Sequence, residues 1–142
     1  VTNGQKVATS DFRKQLLWRK AQDFAAEVAE LVSNLPRDRA ADTIGNQLLR
    51  SAGSIAANIA EGYGRYSQAA YRSHLSIARG SAFESESWID LLMRRVYVTV
   101  ERGEQLIDLC KESQKLLTLR MKSLGDGKTY ATREDGLEYE ID

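Results

Sequence analysis

Two stretches of the chain carry residue types at spacings from which chemistry could be built. Placed on a 3.6-residue helix, Gln47, Arg50, Ser54, Asn58 and Glu61 fall on one stripe at spacings of 3, 4, 4 and 3, polar where an interior stripe should be apolar. Farther on, Ser81 and Glu84 stand at i, i+3 on a face that also bears Ile77 and Trp88. Glu61 and Glu84 could serve as a general acid/base pair or as carboxylate ligands of a metal. Di-metal sites in helix bundles add a Glu-x-x-His motif, which this sequence lacks. The competing reading is structural. A buried carboxylate needs partners; Arg50 can grip one in a bidentate fork, while Asn58 and the serines satisfy remaining lone pairs. Arg50, Ser54, Asn58, Glu61, Ser81 and Glu84 are therefore read as a hydrogen-bonded structural cluster, with no catalytic residue, metal or cofactor assigned.

Other reactive types stand alone. His74 has no identifiable nucleophile paired with it and is read as an interfacial or surface residue. The single Cys110 excludes an internal disulfide, and one Cys with one His cannot build a zinc site within one chain. Cys110 falls on an apolar face as a small core residue. Gly62, Tyr63 and Gly64 have neither the P-loop nor the dinucleotide spacing and read as a helix terminus. Arg65, Arg72 and Arg79 recur every seven residues, and Lys111, Lys115 and Lys122 lie along an outer stripe. Both stripes could track phosphates. Ordinary solvated helix faces have the same look.

The elements that position these residues read as helices throughout. One Pro, few β-branched runs and abundant Ala, Leu, Glu, Arg and Gln favour an all-α fold, an antiparallel up-down four-helix bundle. The patterns place helices at about 11 to 34, 43 to 62, 68 to 96 and 100 to 124, with no sheet. In the first, Leu17, Ala21, Phe24, Val28, Leu31 and Leu35 form the seam of a helix packed against near-antiparallel neighbours. Pro36 ends it, and Ser67 and Thr99 are the expected caps of the third and fourth helices.

The second helix organises the rest. Between Thr43 and Ala60 it carries one formal charge, Arg50, in a chain that is 28% charged, so it is expected to be buried on every side. Gly45, Gly53 and the alanines around them would let neighbouring helices approach. Gly80, mid-helix, costs about 1 kcal/mol relative to Ala, and so implies another backbone passing close by. One bundle covers only part of each helix. An obligate homo-oligomer is therefore expected, although composition and periodicity cannot fix the number of subunits.

With 142 residues the chain suits one domain with a real core. The organisation read from it is an arm at 1–10, the bundle at 11–124 and an acidic tail at 125–142. The zero net charge hides an asymmetry. The tail sets Lys128 and Arg133 against Asp126, Glu134, Asp135, Glu138, Glu140 and Asp142, so the body is correspondingly basic. In the tail, Leu137, Tyr139 and Ile141 alternate with acids, a period that a docking strand could use, against the alternative of disorder. No stretch approaches the roughly 20 apolar residues that span a bilayer, and no leader pattern opens the chain. A cytoplasmic protein without a membrane partner is expected.

Leu35-Pro36, Gln47, Arg50, Ser54-Ile55, Asn58 to Gly62, Arg65, Ser67, Ile77-Ala78, Gly80-Ser81 and Glu84 together resemble the four-helix bundle family encoded in intervening sequences of bacterial 23S ribosomal RNA genes. The similarity spans residues 11 to 124 and leaves both termini uncovered. It implies a homopentamer without enzymatic activity, an adaptor with weak affinity for RNA or DNA. A similar bundle is the accessory variability determinant of diversity-generating retroelements, a basic pentameric barrel that binds a reverse transcriptase and nucleic acid. This chain matches the intervening-sequence motif better, and its acidic tail departs from a basic barrel. A protein-interaction scaffold without nucleic-acid affinity is the remaining alternative.

Overall fold

The apolar seams fold the chain into four antiparallel helices, seen in a computed structural model that describes residues 12–125, 129–132 and 138–141. A short 3-10 turn, Phe12–Lys14, precedes α1 (Leu16–Ser33), α2 (Arg39–Tyr63), α3 (Gln68–Arg94) and α4 (Val100–Ser123). Helices consecutive in the chain pack together and α1 closes against α4, so the bundle is up-down. The predicted seam of α1 is the observed one: Leu17, Ala21, Phe24, Val28 and Leu31 are buried. They meet Leu48, Ile55 and Ile59 of α2, Leu75, Ala82, Ile89 and Leu92 of α3, and Leu106, Cys110 and Leu117 of α4 in one core.

The ends follow from capping chemistry. Ser67 Oγ accepts from the Ala70 amide at 3.1 Å and Thr99 Oγ1 from the Arg102 amide at 3.1 Å, as expected. α2 starts four residues earlier than the pattern predicts, at Arg39. Asp38 caps it, accepting from the Ala40 amide at 2.8 Å, so the helix begins before Thr43 and takes up most of the expected connection. Between α3 and α4, Val96 adopts a φ of 60°, a left-handed conformation in which the branched Cβ is strained.

Three glycines allow close contact, and at Gly45, as expected, a Cβ would lie 2.9 Å from Leu35 Cδ1. A Cβ on Gly62 would lie 2.7 Å from His74 Cβ, so α2 and α3 converge tightly where they are joined. A Cβ on Gly103 would overlap Met93 Sδ; the thioether sits where a side chain would be. Gly80 corrects its expectation, because nothing lies within 4 Å of the place its Cβ would take.

The largest correction concerns α2. Rather than being buried on every side, it has one long exposed face running through Thr43, Asn46, Leu49, Gly53, Ala57 and Glu61. The reason is geometric: within one bundle α2 packs mainly on α1 and α3, and the middle of its remaining side, Leu49, Gly53 and Ala57, is uncharged because it is small and apolar, not because it is enclosed. Outside the bundle, Thr129–Thr132 pairs antiparallel with Glu138–Ile141, with Thr129 opposite Ile141 and Thr132 opposite Glu138. The expectation of a chain without a sheet thus holds for the bundle and not for the tail. The expected arm at residues 1–10 lies outside the described residues.

Candidate functional site

The polar stripe of α2 and the Ser81/Glu84 face of α3 meet along the edge where these two helices pack. Arg50 forms an ion pair with Glu84, Glu84 also accepts from Trp88 Nε1 at 3.0 Å, and Arg50 Nε donates to Gln47 Oε1 at 3.0 Å. One turn on, Ser81 Oγ donates to Ser54 Oγ at 3.0 Å, which also accepts from Asn58 Nδ2 at 3.0 Å. Asn58 Oδ1 faces His74 Nδ1 at 3.1 Å, His74 Nε2 lies 3.7 Å from Glu61, and Glu61 pairs with Arg65. The six expected residues thus line one ladder.

Its environment differs from the expected one. The Arg50 and Glu84 side chains are 56% and 37% exposed, and Glu61 is 52% exposed, so these charges are solvated rather than fully buried. The stripe sits between the core face and the open face of α2, and an isolated subunit covers it on one side only. Sequence reasoning treated His74 separately, yet its ring is a rung of this ladder. It also missed the buried pair Ser51 Oγ and Ser85 Oγ, 2.8 Å apart on the core side of the same two helices. The i, i+4 spacing of Ser81 and Ser85 was the available signal. Among the described residues no group of three His, Cys, Asp or Glu side chains could hold a metal ion.

The basic residues divide between two edges. Arg65 lies in the turn after α2 and pairs with Glu61, so it belongs to the α2–α3 ladder and not to a stripe with Arg72 and Arg79. Those two cross from α3 to α4: Arg72 Nε donates to the Met121 carbonyl at 3.1 Å and Arg79 Nε to Thr118 Oγ1 at 2.9 Å. Exposed Lys111, Lys115 and Lys122 follow on α4. Arg72, Arg79, Lys111 and Lys115 therefore line the α3–α4 groove, with Lys122 exposed farther along α4; the groove holds two open hollows of about 490 Å³ each and a smaller one of about 320 Å³ lined by Glu86 and Asp90. Arg72, Met121 and Gly125 line one of the larger two; Arg79, Phe83, Lys111 and Lys115 line the other, where the Arg79 guanidinium lies 5.0 Å from the Phe83 ring centre.

Beneath this groove Cys110 is fully buried, with Sγ 3.0 Å from the Ala82 carbonyl. Burial first, and then the nearby Glu86 carboxylate, pushes its thiol up to about 12. It is a poor nucleophile near neutrality, where almost none of it is thiolate. No helix of the described residues is long and apolar enough to cross a membrane.

The comparison with curated proteins yields no match. Among solved structures the chain is similar to a protein of unknown function from the S23 ribosomal protein family of Bacteroides thetaiotaomicron. The two are 34% identical, with a TM-score of 0.72 over 75% of this chain and 99% of that one. The family model for the 23S rRNA-intervening sequence protein matches residues 13–119, which take in α1 to α3, most of α4, the α2–α3 ladder and most of the basic groove. By that match the chain belongs to the 23S rRNA-intervening sequence protein family.

Proposed function

We propose that the protein is a non-catalytic adaptor, assembled from identical chains through the outer face of α2 and α3, that contacts RNA or DNA weakly through the α3–α4 groove. The observation that carries this reading is the division of surface around α3. On the side toward α2 lie exposed Leu49, Gly53, Ala57, Ile77 and Gly80, with nothing within 4 Å of either glycine's missing side chain. On the side toward α4 lie five cations. A second subunit resting on the first face would cover small and apolar groups, at about 25 cal/mol per Å² of apolar area removed from water, and leave the cations available to phosphates. The resemblance supplies the number five.

Light scattering on the full chain, with fluorescence anisotropy of a labelled single-stranded RNA and a DNA duplex, tests both halves. A mass of several chains is expected, falling to the 15.9 kDa monomer when Gly53 is replaced by Lys. Nucleic-acid affinity should drop steeply between about 50 and 200 mM salt. A wild-type mass of one chain overturns the assembly. Absence of binding at low salt, in the wild type and in a chain with a neutralised tail, overturns the nucleic-acid half and leaves a scaffold.

A further inference from the structure

The tail and the basic groove have opposite charge, and the structure places the root of one at the end of the other. Residues 126–142 hold six acids against two bases. Gly125, the first residue of the tail, lines the same hollow as Arg72 and Met121, so the tail leaves α4 at the mouth of the α3–α4 groove. We propose that this groove is a docking site for the chain's own acidic tail, which competes there with nucleic acid. The competition rests on the nucleic-acid reading above; the docking does not.

Three features carry the inference. The first is complementarity: Arg72, Arg79, Lys111 and Lys115 line the groove, with Lys122 exposed beside it, and its two carboxylates are already engaged, Glu86 accepting from Gln114 Nε2 at 2.8 Å and Asp90 from Arg94 Nε at 2.6 Å. The second is reach. From Leu124 back to Lys111 along α4 is about 20 Å at 1.5 Å per residue. The linker 126–128 spans up to about 10 Å, and the four-residue strands of the tail hairpin add about 13 Å. The third is pattern. Glu138 and Glu140 alternate with Tyr139 and Ile141 along the second tail strand, and alternate positions of a strand recur about every 7 Å. Phosphates along one strand of duplex DNA recur about every 3.4 Å along the axis, so such a row meets the same cations at every second phosphate. The tether then raises the local carboxylate concentration to the millimolar range. An exposed lysine row that grips free phosphates weakly would be occupied by its own tail until a longer polyanion displaces it.

Two measurements on the full-length chain decide the matter. For docking, Tyr139→Cys is combined with Lys115→Cys on the groove, or with Asp23→Cys on the exposed side of α1, and disulfide formation is followed under mild oxidation; buried Cys110 stays out of the reaction. Trapping at Lys115→Cys is expected to run about tenfold faster than at Asp23→Cys at low salt and to lose that advantage in high salt. Equal rates overturn docking, whether or not nucleic acid binds. For competition, Glu134→Gln, Asp135→Asn, Glu138→Gln and Glu140→Gln together should tighten RNA binding about tenfold at low salt, and Lys111→Glu with Lys115→Glu should abolish that gain. Selective trapping with unchanged RNA affinity overturns the competition. Selective trapping with no RNA affinity in either protein supports docking and overturns the nucleic-acid reading alone.

Discussion

The Tyr97 hydroxyl donates to Asp38 Oδ2 at 3.0 Å, joining the α3–α4 connection to the first residue before α2. Asp38 is also the N-cap of α2, so one carboxylate ends a helix and ties a loop to it. The Tyr97 hydroxyl first, then the Ala40 and Ala41 amides, hold its carboxyl below the ordinary value of 3.8. Because the folded value is the lower one, this stabilisation is fully present above the unfolded value and is lost as pH falls through the depressed folded value. Tyr97→Phe should therefore lower the melting temperature at neutral pH, with the gap to wild type closing below about pH 4. A pH-independent gap would show that the ring, not the hydrogen bond, makes the contribution.

Val96 should tolerate replacement by the residue that its backbone favours. Relief of a branched Cβ at a φ of 60° is worth about 1 to 2 kcal/mol, offset by the extra unfolded-state freedom of Gly. Val96→Gly is expected to stabilise the chain by roughly 0.5 to 1 kcal/mol in urea denaturation. A loss of stability would mean that the exposed valine makes contacts in the assembled protein.

Ser113 and Ser85 provide an opposed pair of tests. Ser113 Oγ is buried and has no hydrogen-bond partner among the described residues, so Ser113→Ala should be neutral or stabilise by about 1 kcal/mol. Ser85 Oγ meets Ser51 Oγ and donates to the Ser81 carbonyl at 2.8 Å. Ser85→Ala should cost about 1 kcal/mol. Denaturant midpoints of the two variants should move in opposite directions, or Ser113 alone should stay put.

For the Arg50–Glu84 pair, exposure decides the magnitude. A fully buried pair would cost about 3 to 5 kcal/mol to break, whereas one this open to solvent contributes no more than about 1 kcal/mol. A double-mutant cycle of Arg50→Ala and Glu84→Ala, run at subunit concentrations low enough to dissociate any assembly, should give a coupling of that smaller size. A coupling of several kcal/mol under those conditions would require the ladder to be covered within one chain.

Cys110 should react with thiol reagents at mildly alkaline pH only as fast as the bundle opens, since its thiol is pushed up to about 12 by burial. Labelling at the rate of a free thiol in native protein would place it at the surface.

The difference between these magnitudes marks what could be read from residues alone. Leu17, Ala21, Phe24, Val28 and Leu31 were legible because a repeat of apolar positions defines a face, and a face must be covered by something. The ladder residues were legible as a stripe for the same reason. Their exposure was not, because periodicity assigns a direction to a side chain without counting the helices that lie in that direction. Thr43 to Ala60 misled for a related cause: small residues on an open face and small residues at a tight contact have the same composition. Asp38 was hidden between Arg37 and Arg39, where charges resemble a connection. The crossings of Arg72 and Arg79 to α4 depend on long flexible side chains choosing among acceptors, which spacing does not encode.

Met93 is one of the chain's two methionines, and its sulfur fills the place of the side chain that Gly103 lacks. That contact seals the α3–α4 corner with a thioether rather than a hydrocarbon. Peroxide would turn the sulfur into a sulfoxide, adding an oxygen and a dipole where no volume is spare. This close contact between the two helices is thus also an oxidant-sensitive joint, and methionine sulfoxide reductase would be the enzyme that restores it.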